Sequence, residues 1–199
     1  MLPFIPGGTS TILDVGCSRG RFGETLHGAN PAWKLYGIDP DPEAAAEASV
    51  HYEHVTCGYF PDDLVGDDRF DCIVLNDVLE HVVDPWTMLE QAAGLLSPTG
   101  RVVASIPNVR YYIVVRNLLL RGRWDYADWG VLDRTHLRFF TRASIESLFD
   151  SAAMEIETLA PINPVPLRRA ALLAGPFRDM RYMQFAVVAR PRRAPSAEA

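Results

Sequence analysis

Disulfide and zinc chemistry have little material in this chain, whose 199 residues include three cysteines, Cys17, Cys57 and Cys72, with no Cys-x-x-Cys spacing. They read as small hydrophobes on or beside buried strands, in a reducing compartment. No apolar run approaches the roughly 20 residues that a membrane helix requires. The first residues, Met1-Leu2-Pro3-Phe4-Ile5-Pro6-Gly7-Gly8, lack the basic start and unbroken apolar stretch of a secretory leader. A cytoplasmic location is expected. No internal repeat is visible, and nothing in the composition suggests a second domain.

A hydrophobic content of 48% is enough for one packed core in a chain of this length. The net charge of −6 hides an asymmetry. Residues 1–106 carry −11, with Lys34 the lone lysine, whereas residues 107–199 carry +5, all of the basic groups being arginines. A basic second half suits an anionic acceptor, such as a phosphate-linked lipid or sugar, an acidic glycan or nucleic acid; a solvated arginine-rich surface fits equally well.

The most telling stretch is Thr11-Ile12-Leu13-Asp14-Val15-Gly16-Cys17-Ser18-Arg19-Gly20. An aliphatic run followed by glycines four apart describes a buried strand that empties into a tight loop beneath a helix N-terminus. A second strand, Trp33-Lys34-Leu35-Tyr36-Gly37-Ile38-Asp39, follows with a carboxylate at its tip. An acid about twenty residues beyond such glycines is where a ribose is gripped. The pair points to an adenosine-containing cofactor. Asp14 at the loop entrance would repel a pyrophosphate but suits the sulfonium and ammonium of S-adenosylmethionine.

Here the chain resembles the class I S-adenosylmethionine-dependent methyltransferases, whose first motif reads Asp/Glu-x-Gly-x-Gly-x-Gly. Ser18 stands in place of the middle glycine. The resemblance continues through Asp39, the segment Phe70-Asp71-Cys72-Ile73-Val74-Leu75-Asn76-Asp77-Val78-Leu79-Glu80-His81, and Leu96-Ser97-Pro98-Thr99-Gly100-Arg101-Val102-Val103. It implies that Gly16 and Gly20 lie against the methionine portion, with Asp14 and Cys17 also in the cofactor-binding set, that Asp39 takes the ribose hydroxyls, and that Gly58 and Tyr59 lie near the adenine. Asn76 is suited to a carbonyl or amino group of the cofactor.

Strands are predicted near 11–15, 33–38, 53–57, 70–75, 100–106, 154–159 and 182–189, with helices near 20–28, 41–50, 84–96, 109–121 and 142–152. This alternation predicts an α/β fold, a Rossmann-like, seven-stranded, mainly parallel sheet with helices on both faces; the resemblance implies an antiparallel last strand. Residues 1–189 are read as one domain with substrate-side insertions at 107–140 and 160–181, and residues 190–199 as a disordered tail. The first strand begins after about ten residues, so a substantial N-terminal helical cap is not expected. The segment 109–121 would be apolar around much of its girth, leaving it a lid, a homodimer contact or a membrane-surface helix.

Asp77, Glu80 and His81 follow the fourth strand at spacings of three and four, so they share one face of a helical turn. His136 lies just before a helix that Thr141 is placed to cap. The grouping resembles the acid-x-x-Glu-His element of ubiquinone-pathway and small-RNA ribose O-methyltransferases. That resemblance implies that Asp77, Glu80, His81 and His136 hold a divalent metal, magnesium or manganese, which would acidify an acceptor hydroxyl. Without metal, His81 or His136 would act as general base. Trp124, Tyr126 and Trp129 are candidates for the acceptor pocket, and Trp86 for the core. The expected function is O-methylation of a sugar, glycan or other small-molecule hydroxyl. RNA ribose methylation, N-methylation and a non-catalytic cofactor-binding subunit are the rivals.

Overall fold

The structure, a computed structural model, describes residues 1–64, 69–164 and 175–192. Seven strands form one sheet: β1 (Thr11–Val15), β2 (Lys34–Asp39), β3 (His54–Cys57), β4 (Phe70–Asn76), β5 (Leu96–Pro107), β6 (Met154–Pro164) and β7 (Tyr182–Pro191). Their order is β3-β2-β1-β4-β5-β7-β6. Strands β1 to β5 pair in parallel, while β7 runs antiparallel to both β5 and β6. The α-helices among the described residues are α1 (Arg21–Ala29), α2 (Pro42–Ala48), α3 (Pro85–Gly94), α4 (Tyr112–Arg121) and α5 (Arg142–Ser151).

Alternation along the central strands sends side chains into two cores. Leu13, Val15, Ile73 and Leu75 enter one core, whereas Ile12, Cys72 and Val74 enter the other. A strand covered on both faces must be apolar at nearly every position, which is how β1 and β4 read. The chain leaves β1 toward β2 on one side and returns to β4 on the other. That reversal opens a crevice beyond the carboxyl ends of β1, β2 and β4, where Asp14, Asp39 and Asn76 lie.

Helix starts follow local chemistry. Asp41 accepts hydrogen bonds from the Glu43 and Ala44 amides at 2.9 and 3.3 Å, with Pro42 opening α2. Thr141 caps α5, in a reciprocal arrangement with Ser144. The predicted helix over 109–121 starts only at Tyr112. Asn108 ends the strand by accepting the Arg110 amide at 3.0 Å and donating to the Asp179 and Tyr182 carbonyls.

Several expectations shift. Leu96 belongs to β5 rather than α3, because it pairs with Phe70 before the strand bulges toward Arg101. The segment 160–164 extends β6, and Arg190 and Pro191, read as tail, extend β7. Arg190 is held by Glu155 and Glu157 of the adjacent β6, and the Arg192 amide donates to the Ala153 carbonyl. The remainder of the expected tail, 193–199, and the middle of the second insertion, 165–174, lie outside the described residues. Cys57 is exposed rather than core, since it ends the edge strand β3; Cys17 and Cys72 are buried. Helix α4 buries only Val114, and Leu119 and Leu120 are 75% and 78% exposed. No helix among the described residues is long and apolar enough to cross a membrane.

Candidate active site

The glycine loop is held from below by β2. The Gly16 and Cys17 amides donate to the Ile38 carbonyl, and the Ser18 amide donates to Asp39 Oδ2 at 2.8 Å. Asp39 Oδ1 takes the Asp41 amide at 2.9 Å, so this carboxylate joins the loop to the start of α2. Each oxygen retains a lone pair for a further donor. Gly16, Ser18 and Gly20 all have positive φ, of 70°, 47° and 79°. A middle glycine is therefore the unstrained choice at the position of Ser18. At Gly20 a Cβ would lie 2.8 Å from Ala48 Cα, which only glycine avoids.

Asp14 is buried beneath this loop and accepts a 2.6 Å hydrogen bond from the Tyr52 hydroxyl. Burial drives its carboxyl up to about 7, the Tyr52 bond opposes the rise, and the Asp39 charge adds to it. Asp14, Gly16, Cys17, Ser18 and Asn76 line a cavity of about 720 Å³. Asn76 Oδ1 is buried there without a hydrogen-bond partner, as expected of a group that awaits a ligand donor. His51, placed among the structural or exposed histidines by sequence, also borders this cavity.

Gly58 and Tyr59 follow β3, with the Gly58 amide bonded to the Asp39 carbonyl at 3.0 Å. Tyr59 is 71% exposed. Asp63, which sequence reasoning missed, folds back to accept the Tyr59 amide at 2.7 Å; a Cβ on Gly58 would meet it at 2.5 Å.

A second cavity, of about 200 Å³, is lined by Asp77, Glu80, His81 and His136 among others. Asp77 turns the chain out of β4 with φ 53°. The Glu80 carbonyl accepts the Leu137 and Arg138 amides at 2.8 and 3.0 Å, stitching the two histidine segments together. The rings of His81 and His136 consequently meet edge to face with centroids 4.7 Å apart.

Glu80, His81 and His136 each offer a ligand atom, and these atoms all lie within 4.8 Å of one another. Glu80 is fully buried and neither carboxylate oxygen has a hydrogen-bond partner. Burial, and then the neighbouring Asp77 charge, push it up to about 8. Burial and His81 push the His136 imidazole down. Asp77 lines the same cavity but stands outside the trio. Its Oδ1 accepts from the Ser105 hydroxyl at 3.0 Å and from the Gln184 amide at 2.6 Å, and burial raises its pKa.

Of the aromatics, Trp124 packs edge-on against Phe139, while Tyr126 and Trp129 are 57% and 76% exposed. Trp86 is not a core residue: it is 42% exposed, with the Arg138 guanidinium 5.6 Å from its ring centre.

A parallel sheet reversed between β1 and β4, with an antiparallel β7 and a glycine loop over a buried acid, defines the class I S-adenosylmethionine-dependent methyltransferase fold. The methyltransferase domain family matches residues 2–159, and the chain belongs to that family. It is 29% identical over 177 residues to the ubiquinone biosynthesis O-methyltransferase of Azorhizobium caulinodans, covering 79% of this chain and 63% of that one. The chain thus spans less than two thirds of that relative's length. Among solved structures, a SAM-dependent methyltransferase from Archaeoglobus fulgidus superimposes with TM-score 0.68 at 14% identity, covering 94% of this chain and 88% of the other. The plantazolicin methyltransferase BpumL in complex with SAH gives 0.66 at 19%, covering 92% and 77%.

Proposed function

We propose that the protein transfers the methyl group of S-adenosylmethionine to a hydroxyl of a small molecule or sugar, with a divalent metal held by Glu80, His81 and His136. The observation that carries this reading is the convergence of one buried carboxylate and two imidazoles within 4.8 Å. An unpartnered buried carboxylate is costly, and a cation is the natural complement to it. The donor set of one carboxylate and two imidazoles fits manganese, iron or zinc better than magnesium. The relative's role as an O-methyltransferase in ubiquinone biosynthesis supports oxygen as the acceptor atom.

In this reading Asp14 faces the cationic end of the donor, Gly16, Cys17 and Gly20 let it approach the backbone, and Asp39 takes the ribose hydroxyls. Gly58 and Tyr59 border the adenine, and Asn76 Oδ1 takes a donor from the cofactor. Asp77, braced by Ser105 and Gln184, borders the acceptor pocket instead of ligating. When bound, the metal would lower the pKa of a coordinated acceptor hydroxyl and fix it in line with the methyl group. His136, with its depressed pKa, is the base that remains if no metal is used. The continuous sheet from β3 to β6 supports reading residues 1–189 as one catalytic domain. The free cysteines support a reducing, cytoplasmic setting.

The test is labelled-methyl transfer by the purified chain to fractionated metabolites, glycans and RNA, with and without a chelator. Transfer to hydroxyl acceptors that a chelator abolishes and manganese restores is the expected result. Chelator-resistant transfer would overturn the metal. Transfer to nitrogen, or none to any acceptor, would overturn O-methylation.

A further inference from the structure

The two histidines of the second cavity are anchored through the same ring nitrogen. His136 Nδ1 lies 3.2 Å from the Val131 carbonyl oxygen. A carbonyl oxygen only accepts, so this contact requires a proton on Nδ1. His81 Nδ1 lies 3.2 Å from the Thr135 hydroxyl, which could donate or accept.

Asp133 removes that choice. The Thr135 hydroxyl lies 2.6 Å from Asp133 Oδ1, and the Thr135 amide bonds the same oxygen at 2.8 Å. A carboxyl that reaches solvent is ionised at neutral and alkaline pH and accepts only, so one oxygen takes both donors of Thr135. The single hydroxyl proton of Thr135 is therefore committed to Asp133. What remains toward His81 is an oxygen lone pair, which calls for a proton on Nδ1.

We infer that Thr135, oriented by Asp133, is a positioning residue that holds neutral His81 as its Nδ1–H tautomer. His81 and His136 then each keep an unprotonated Nε2 as the free acceptor of their rings, in the trio that they form with the unpartnered Glu80 carboxylate. The backbone bonds from Leu137 and Arg138 to the Glu80 carbonyl keep the two segments in register. Such partners on the far nitrogen of a ligating histidine commonly set its tautomer and basicity. The tautomer itself is a property of the ligand-free chain. Its use, in metal ligation or as a proton acceptor, rests on the function proposed above.

The experiment is long-range ¹H–¹⁵N correlation NMR of the imidazoles in the full chain, without added metal and at alkaline pH. Wild type, Thr135→Val and Thr135→Ser are compared. Both histidines should show Nδ1–H in the wild type. Thr135→Val should shift His81 toward the Nε2–H form while His136 stays unchanged, and Thr135→Ser should restore His81. Thr135 is exposed, and the unchanged His136 pattern reports that the valine variant is folded. In parallel, Thr135→Val should weaken manganese binding about tenfold, the low end of losses for partners of metal-bound histidines. An Nε2–H His81 in the wild type, or one indifferent to Thr135→Val, overturns the inference. A tautomer that responds as expected in a chain that binds no manganese and methylates no hydroxyl supports the inference and overturns only the proposed function.

Discussion

Tyr52 donates a 2.6 Å hydrogen bond to Asp14, joining residues 38 apart in sequence beneath the glycine loop. The tyrosine ring lies where a Cβ on Gly23 would come within 2.4 Å of it, so helix α1 approaches at a distance that only glycine permits. Asp14 is thereby fixed in the wall of the first cavity, where burial raises its carboxyl to about 7 against the opposing effect of the Tyr52 bond.

Cofactor affinity should follow the ionisation of Asp14. In the proposed function its carboxylate attracts the donor's positive end only when charged, so binding should weaken as pH falls through about 7, by up to about tenfold per pH unit. Tyr52→Phe removes the bond that opposes the rise, and should move the midpoint upward. Asp14→Asn should bind weakly with a flat pH profile over the same range. Calorimetric titration of S-adenosylmethionine checks all three. A wild-type profile as flat as that of Asp14→Asn would contradict the assignment.

Stability without ligands should run in the opposite direction. Asp14 rises from 3.8 to about 7 and Glu80 from 4.5 to about 8 on folding. Between the lower and upper values the unfolded chain has already released protons that the folded chain retains, so raising pH favours unfolding. Urea unfolding should show a loss on the order of 3 kcal/mol for each group between about pH 5 and pH 8. Asp14→Asn and Glu80→Gln should each remove part of this slope. A gain in ligand-free stability with rising pH would refute the buried, partner-poor state of these carboxylates.

The loop glycines are separable from their neighbour. Gly20→Ala places a Cβ against the backbone of Ala48 at positive φ and should cost about 2 kcal/mol or more. Cofactor affinity should fall with it. Ser18→Gly relieves a φ of 47° and should stabilise by up to about 1 kcal/mol. Thermal unfolding with and without cofactor distinguishes the two variants.

Helix α4 offers a surface test. Leu119→Asp with Leu120→Asp should change unfolding free energy by no more than about 0.5 kcal/mol, because both side chains are exposed. If residues 109–121 form a homodimer contact, one of the three roles the sequence leaves open for them, light scattering should show a dimer in the wild type and a monomer in the variant. A wild-type monomer would dismiss that contact.

Much of the fold could be read in the sequence because it rests on local rules. Two-faced apolar runs marked β1 and β4, Thr141 marked the start of α5, and the glycines after Asp14 marked the tight loop between β1 and α1. Strand ends were misjudged where long-range pairing decides them. Arg190 reads as part of a polar tail until Glu155 and Glu157 of β6 hold it in β7. Trp86 reads as core until Arg138 is seen to cover it at the surface.

The sequence by itself determined the residue types at the site: acid, glycines, second acid, then Asp77, Glu80, His81 and a later histidine. Only the tertiary structure decided which of them meet. His81 and His136 are 55 positions apart, yet their rings are 4.7 Å apart because the Glu80 carbonyl binds the amides that follow His136. Asp77 looked equivalent to Glu80 in spacing, but Ser105 and Gln184 from neighbouring strands bind it while Glu80 is left unpartnered. Spacing along a chain fixes which residue types recur on one turn. Burial, protonation and partner choice depend on atoms brought in from elsewhere, and the packing of the sheet supplies them.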